Sequence, residues 1–407
     1  MSEQFLHGVE VIELNDGARP IKTAKSSVIG LIGTAPKGPV NQPILILGSR
    51  KEAVAIFGEN TKANEGFTIP KALDGIFDQV GAVVVVINVA DSANPAHLTD
   101  GALDAAKIDI ADVVGGIDGV TGQYKGVQVL LAANTELAVT PRILIAPGFT
   151  NQAVGNTANA VVAELIGIAE SLRAIIVADL PSGETDLISD AISYVANFGS
   201  ARIYPVFPFV KVLNSEGEIV DEPASARVAG LIAKSDAERG FWWSPSNLVI
   251  NGIVGISKPI DFALGDPNSK ANYLNENNIA TIIQESGFRL WGNRTLSADP
   301  KWSFLQARRT ADMINDSLLK AHLWAVDRNI CKTYIEDVLE GVNNYLRHLK
   351  SIGAIIGGNA YIDPELNTPS QIAQGKITFD FDFTPPYPAE HITFRSRMTD
   401  DYLAELV

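Results

Sequence analysis

The clearest hydrophobic pattern in the chain is a strict alternation of apolar and polar residues over residues 376–384. A period of two is typical of a strand with one buried face, so we expect a strand here. Its apolar positions are Ile377, Phe379, Phe381 and Phe383. Pro385, Pro386 and Pro388 follow; they remove backbone donors and fix φ, which predicts a stiff, extended connector.

Both ends of the chain carry a further short strand pattern. Residues 391–398, after the proline connector, predict one strand, and residues 5–14 predict another. The apolar face of the first consists of Ile392, Phe394 and Met398. It is either part of a hairpin or meander within its own domain, or it completes the sheet of a neighbouring copy, since an isolated strand needs a partner for its backbone groups. Strand donation to a neighbouring copy is the more attractive of the two interpretations, because each end of the chain has a short predicted strand and neither could bury a core alone.

Strands and helices alternate through the first two thirds of the chain. Strands are expected over residues 27–33, 43–47, 82–89, 142–146, 174–178 and 202–207. Helices are expected over residues 51–57, 70–80, 157–172, 184–198 and 222–235. From residue 142 to residue 235 the alternation is clean and predicts right-handed crossovers and a largely parallel sheet covered on both faces, that is, an α/β domain. Residues 91–139, which precede it, are a loose, acidic sequence that is either surface loop or an insertion.

The region after residue 280 predicts a small α+β domain. A strand is expected over residues 288–295, a long helix begins at Ser303, and a second, amphipathic helix covers residues 334–349. The polar residues on or beside the outer face of that second helix are Lys332, Asn343, Arg347 and Lys350.

Composition limits the class of protein. The chain has 407 residues, 46% of them hydrophobic, which is ample for the cores of two or three domains. It has no run of eighteen apolar residues and no secretory signal pattern at its start, so we expect a soluble protein made in the cytoplasm, without membrane insertion. The single cysteine, Cys331, excludes an intramolecular disulfide and a cysteine-based zinc site.

The charge distribution bears on partners. A net charge of −15 argues against binding to nucleic acid or anionic membranes, whose phosphates would repel the chain. Residues 287–350 differ, because they contain ten Lys or Arg against seven Asp or Glu. This segment is either a docking surface for an acidic protein partner or a region whose arginines form internal ion pairs.

Candidate catalytic residues are sparse. The chain has no G-x-S-x-G motif, and its five histidines all lie outside the regular alternation of residues 142–235. Asp179 follows a predicted strand, where a carboxylate more often caps the next helix or accepts from loop amides than acts in catalysis. The spacing of Gly30, Gly33 and Gly38 fits no nucleotide-binding motif, and no metal-ligand spacing occurs. We therefore expect no enzyme activity, no cofactor and no metal; the alternative is an α/β hydrolase-like enzyme or a small-ligand-binding module.

Three segments of the sequence carry a resemblance to a known family. They are GVEVIEL followed by SSVIGLIGTAPKGPVNQPILI, then RLWGNRTLSADPKWSFLQARR, and finally YLRHLKSIGAIIGG followed by GKITFDFDFTPPYPAEHITF. In this order they resemble the compact contractile tail sheath proteins of bacteriophages and R-type bacteriocins. The resemblance spans nearly the whole chain and is weakest over residues 91–139.

The resemblance implies a structural protein of a virion tail or bacteriocin-like particle, assembled in the host cytoplasm. Subunits would form six-fold rings in a helical tube around an inner tail tube, contact baseplate and tail terminator proteins, and contract to drive the tube through a cell envelope. The implied organisation is an N-terminal arm (1–22), an outer α/β domain (23–280) resembling a subtilisin-like fold without a triad, an inner tube-facing α+β domain (281–384) and a C-terminal arm (385–407).

The resemblance also implies functional residues. The N-terminal donated strand would comprise Gly8, Val9, Glu10, Val11, Ile12 and Glu13. The C-terminal donated strand would include Ile392, Thr393, Phe394 and Arg395, and the accepting sheet would include Ile377, Phe379, Phe381 and Phe383. A helix of the inner domain would hold the tube, with Lys332, Arg347 and Lys350 as the expected contacts.

Overall fold

The computed structural model describes residues 21–153, 155 and 157–406. The strands are β1 (Ile29–Gly33), β2 (Ile44–Leu47), β3 (Val83–Asn88), β4 (Leu98–Thr99), β5 (Ala102–Leu103), β6 (Gly116–Ile117), β7 (Tyr124–Lys125), β8 (Ile143–Ile145), β9 (Ile175–Asp179), β10 (Ile203–Val206), β11 (Val210–Leu213), β12 (Ile219–Glu222), β13 (Gly255–Ile256), β14 (Thr281–Gln284), β15 (Phe288–Trp291), β16 (Gly357–Tyr361) and β17 (Asp380–Thr384). The helices are α1 (Arg50–Phe57), α2 (Thr68–Phe77), α3 (Ile110–Val114), α4 (Ala133–Leu137), α5 (Ala160–Leu172), α6 (Ile188–Val195), α7 (Ser225–Arg239), α8 (Lys270–Glu276), α9 (Leu305–Ala321), α10 (Lys332–Ser351) and α11 (Pro369–Ala373). The strand expected over residues 5–14, and with it residues 8–13, lies outside the described residues.

A six-stranded sheet organises the larger part of the molecule, in the order β10-β9-β8-β1-β3-β2. Neighbouring strands are parallel, except that β2 pairs antiparallel with β3 at one edge. Strands such as β1 and β9 are fully buried along their length, which is typical of a sheet covered on both faces. The largely parallel sheet that the alternation predicts is present.

Two layers cover this sheet. On one face, α2 and α7 pack against apolar side chains such as Leu31 and Val86. On the other, α5 and the 3-10 helix Gly126–Ala132 pack against side chains such as Ile32 and Ile87. Val127, Val129 and Leu130 of that 3-10 helix are buried. The expectation of loose sequence over residues 91–139 is therefore wrong for residues 126–130, which are largely buried. The sequence did not reveal this because a 3-10 helix shows neither the strand nor the α-helical period.

A second, smaller core lies between α9, α10 and the β16–β17 hairpin. Its buried side chains from the two helices are Met313, Ile314, Val338, Val342, Tyr345, Leu346 and Leu349. The side chains of Phe379, Phe381 and Phe383 are partly buried against it. None of the helices within the described part of the chain has the length and apolarity needed to cross a lipid bilayer.

Buried ion pairs join the second core to the sheet. Arg142 and Arg202, which directly precede β8 and β10, contact Asp316 and Asp312 of α9 at 2.5 and 2.8 Å. Arg309 of α9 in turn contacts Asp236 of α7 at 2.5 Å. The internal ion-pair interpretation of the basic segment is thus correct for Arg309, and also for Arg308, which pairs with Asp312.

Candidate assembly surface

The C-terminal arm leaves the body of the molecule from a fixed root, residues 385–390. The ring of Tyr387 lies 5.9 Å from the ring of Phe304. The guanidinium of Arg294 donates to both carboxylate oxygens of Glu390, at 2.8 and 2.5 Å. These contacts hold the arm root against the residues that precede α9. Arg294 and Glu390 are 96 positions apart, and no motif in the sequence points to their pairing.

Beyond the root, residues 391–406 form a free arm. Residues 391–400 are exposed and adopt neither helix nor strand, and a short 3-10 helix follows at Asp401–Leu406. The apolar residues of the predicted strand are among the most exposed in the molecule: Ile392 is 65%, Phe394 92% and Met398 93% exposed. No described part of the same chain pairs with residues 391–398, which disfavours the hairpin or meander interpretation.

The β16–β17 hairpin is an incomplete sheet. β17 pairs antiparallel with β16, with Phe381 opposite Ala360. Among the described residues neither strand has a second neighbour. The outer edge of β17 therefore presents unpaired backbone groups, which are a template for a further strand. On β16, by contrast, the backbone N–H and carbonyl of Ala360 bond to the side-chain amide of Asn343 in α10.

β17 is shorter than the predicted strand over residues 376–384. The backbone N–H and carbonyl of Thr378 both bond to the side-chain amide of Asn367, at 2.8 and 2.9 Å. This local pairing replaces a strand ladder, so Ile377 and Phe379 precede the strand, which begins at Asp380. β16 was not predicted at all, because its sequence GGNAY has two glycines and no alternation.

The three expected tube contacts lie on the exposed surface of α10 but not together. Lys332 is at the first turn, its Nζ 3.8 Å from Glu336. Arg347, which donates to Asn344, and Lys350 are in the last two turns. At 1.5 Å per residue, Lys332 and Arg347 are about 22 Å apart along the axis. The exposed face changes from acidic to basic along its length, as the helix dipole favours.

An enzyme with a sheet of this kind would bind its substrate at the carboxyl edge of the strands. In the six-stranded sheet, the acidic residue at this edge is used in helix packing. Asp179 ends β9, is fully buried, and accepts hydrogen bonds from the backbone N–H and the hydroxyl of Ser225 at the start of α7. It therefore binds the start of α7, whereas the sequence pointed to the next helix along the chain, which is α6. Burial raises the pKa of Asp179 to about 6. The nearby cavity, between Lys71, Gly148 and Arg227, has a volume of about 110 Å³, well below the few hundred Å³ typical of small-molecule sites.

Three family models match the chain in order. Residues 26–89 match the tail sheath protein Gp18 domain III N-terminal region, residues 122–296 the phage tail sheath protein central domain, and residues 297–399 the phage tail sheath C-terminal domain. Together they cover most of the described chain.

Similar proteins match over their full length. A prophage major tail sheath protein of Pseudomonas aeruginosa is 42% identical, with 99% of each chain covered. The tail sheath protein of Escherichia phage P2 is 35% identical, covering 99% of this chain and 98% of that protein. Among solved structures, the helical sheath of the anti-feeding prophage in the contracted state matches with a TM-score of 0.69 at 22% identity, over 96% of this chain and 99% of that one. The contracted sheath complex of the extracellular contractile injection system PVC has a TM-score of 0.69 at 17% identity, over 98% and 99% of the two chains.

Proposed function

The chain belongs to the phage tail sheath family, and we propose that it polymerises as stacked hexameric rings around a tail tube and contracts to drive that tube through a target cell envelope. It is a structural subunit, and the family does not favour the alternative of a hydrolase or small-ligand-binding module. The observation that carries the proposal is that one molecule has both a free arm with exposed apolar residues and an incomplete two-stranded sheet.

Donation of strands between copies would join the subunits. Each backbone hydrogen bond gained contributes a net ~0.5–1.5 kcal/mol, and each large apolar side chain buried from the arm ~1.5–3 kcal/mol. The C-terminal donor is the segment containing Ile392 to Arg395, and the N-terminal donor is residues 8–13. The acceptor is the β16–β17 hairpin, backed by Phe379, Phe381 and Phe383.

The proposed domain assignment is the one that the family resemblance implies. Residues 23–280 would form the outer domain and residues 281–384 the inner, tube-facing domain, with arms at 1–22 and 385–407. The cores divide elsewhere, because Ile282, Leu290 and Leu305 pack in the core of the six-stranded sheet. A subtilisin-like chain path for the outer domain remains part of the proposal. Partners would be other copies, the tail tube, and baseplate and tail terminator proteins, with assembly in the host cytoplasm before incorporation into a phage tail or bacteriocin-like particle.

Deletion of residues 392–407 tests strand donation. The truncated protein keeps both cores and the Arg294–Glu390 contact, so it should remain folded but monomeric, whereas the full chain should form tubes visible by negative-stain microscopy. Equal melting temperatures of the two proteins would show that the loss is one of assembly. Tubes from the truncated protein would contradict the proposal, as would a full chain that stays monomeric at high concentration.

Contact with the tube is proposed for the exposed face of α10, through Lys332, Arg347 and Lys350. Exposed ion pairs of ~0–1 kcal/mol each are weak enough to break during contraction. Reversal of Arg347 and Lys350 to Glu should impair assembly templated by an acidic tube surface without changing the melting temperature. Reversal of Lys301, an exposed lysine before α9, is the control. Unaltered templated assembly of the α10 variant would exclude this contact.

A further inference from the structure

The two faces of β17 differ in chemistry. Phe381 and Phe383 point to the second core, so alternation places Asp380 and Asp382 on the opposite face. Asp382 accepts the backbone N–H of Asn359 at 3.1 Å, and one carboxylate oxygen of Asp380 is buried without a hydrogen-bond partner. No Lys or Arg among the described residues forms an ion pair with either carboxylate. The open strand therefore carries a row of uncompensated negative charge.

The free arm repeats this two-face pattern with the opposite charge. Its exposed residues Ile392, Phe394 and Met398 alternate with Thr393, Arg395 and Arg397. A strand laid beside β17 shares its faces, because directly opposed residues point to the same side of a sheet. When Phe394 faces the second core of another copy, Arg395 and Arg397 must lie on the face of the two aspartates. A slip of one residue would reverse both faces and turn the arginines towards apolar side chains.

We propose that the free arm of a second copy pairs with the open edge of β17, and that Arg395 and Arg397, facing Asp380 and Asp382, select this edge and fix the register. The inference rests on the proposed function, because it specifies how a donated strand is recognised. The edge of β16 does not offer this charge: its residues on the same face are Gly357, Asn359 and Tyr361.

Charge would also distinguish the two arms. The N-terminal segment proposed as the other donor contains Glu10 and Glu13. Because they are three positions apart, a regular strand places them on opposite faces, so one of them would lie on the face of the aspartates of β17 and be repelled. The basic arm is therefore directed to β17, and the acidic arm is kept from it. Two donors of similar length and hydrophobicity could not be sorted by their apolar residues alone.

Charge reversal tests the inference on the full-length chain. Arg395→Glu with Arg397→Glu changes only exposed residues of the free arm, so folding should be unaffected. We expect the concentration needed for tube formation, measured by sedimentation and negative-stain microscopy at low salt, to rise at least about tenfold. Asp380→Lys with Asp382→Lys should have the same effect. Added salt should weaken assembly of the unaltered chain more than that of a variant with all four residues replaced by Ser or Asn, because exposed pairs are screened.

The fourfold swap is the decisive variant. A chain with Asp380→Arg, Asp382→Arg, Arg395→Asp and Arg397→Asp should assemble within about threefold of the original concentration. Asp363→Lys with Glu365→Lys, which reverses two acidic residues between β16 and β17, should have little effect. Normal assembly of both twofold reversals, or a swap that assembles no better than they do, would overturn the inference. If deletion of residues 392–407 abolishes tubes while the reversals do not, strand donation stands and only the charge selection fails; tubes from the truncated chain would overturn both.

Discussion

At the scale of single residues, folding raises the pKa of Asp179, which makes the stability of the protein depend on pH. Its folded pKa is raised from 3.8 to about 6 by burial, although Ser225 donates two hydrogen bonds to its ionised form. In the pH range between these values the folded state binds more protons than the unfolded state. The free energy of unfolding therefore falls as pH rises from about 4 to about 6, by roughly 3 kcal/mol from this group alone, and is level above that range.

Replacement of Asp179 by Asn should remove this pH dependence. The amide oxygen keeps an acceptor for the Ser225 N–H, but the group no longer ionises. As pH rises from 4 to 6, the free energy of unfolding of the original chain should fall relative to that of the variant. Urea unfolding at several pH values measures it, with Asp100→Asn on an exposed turn as the control. A difference that does not vary with pH would contradict the assignment.

A structural role for Asp179 was predictable, because a carboxylate that follows a strand of an α/β sheet commonly accepts hydrogen bonds from backbone amides. Its partner was not, because Ser225 is 46 positions away in α7 and not in the next helix. The pairing of Arg294 with Glu390 likewise depends on where the chain returns after β17. The sequence left the arginines of residues 287–350 open between internal pairs and a docking surface, because charge alone does not indicate which side chains are buried.

At the scale of elements, β16 depends on a glycine that its partner strand approaches closely. A Cβ at Gly358 would lie 2.7 Å from the carbonyl oxygen of Asp382 and 3.2 Å from the Cβ of Phe383. Nothing lies within 4 Å of a Cβ at the adjacent Gly357. The two glycines therefore form a matched pair for a test of the hairpin.

Gly358→Ala should push β16 and β17 apart and destabilise the second core, by about 1–3 kcal/mol. Gly357→Ala should change the free energy of unfolding by no more than about 0.5 kcal/mol. Thermal unfolding of both variants measures the difference. Because the hairpin is the proposed acceptor, only the Gly358 variant should also raise the concentration needed for tube formation. Equal behaviour of the two would argue against close packing at Gly358.

Elements with a clear period were predictable, and elements without one were not. The strands of the central sheet are apolar runs, and α10 has a continuous apolar stripe, so both were visible in the sequence. The start of β17 was misplaced because the Asn367 side chain, remote from it in sequence, binds the backbone of Thr378. The 3-10 helix Gly126–Ala132 was missed because its burial comes from the sheet beneath it.

At the scale of the whole molecule, α9 couples the second core to the sheet through charges that are almost fully buried. Asp312 is 1% and Arg202 5% exposed. Loss of one partner from such a pair leaves an uncompensated charge in a poorly solvated site, which costs about 3–5 kcal/mol. Two rigid parts joined in this way would move together when the particle changes state.

Arg309→Met should therefore destabilise the chain by about 3–5 kcal/mol, because it leaves the buried carboxylate of Asp236 in α7 without its ion-pair partner, and addition of Asp236→Leu should recover much of that loss. Arg50→Met, which removes an exposed pair with Asp78, should cost no more than about 1 kcal/mol. Urea unfolding of the three variants makes the comparison. A double variant no more stable than Arg309→Met alone would contradict direct pairing between α9 and α7.

The fixed root of the C-terminal arm limits how far two joined subunits can separate. The proposed donor strand begins at Ile392, two positions beyond Glu390, and Arg397 lies seven positions beyond it, a fully stretched span of about 23–25 Å. A compact chain of this length has a radius of gyration of about 22 Å, so a strand this close to the arm root reaches an adjacent copy and no more distant one. Under the proposed strand donation, each subunit therefore keeps the same neighbour through whatever rotation a contracting particle undergoes.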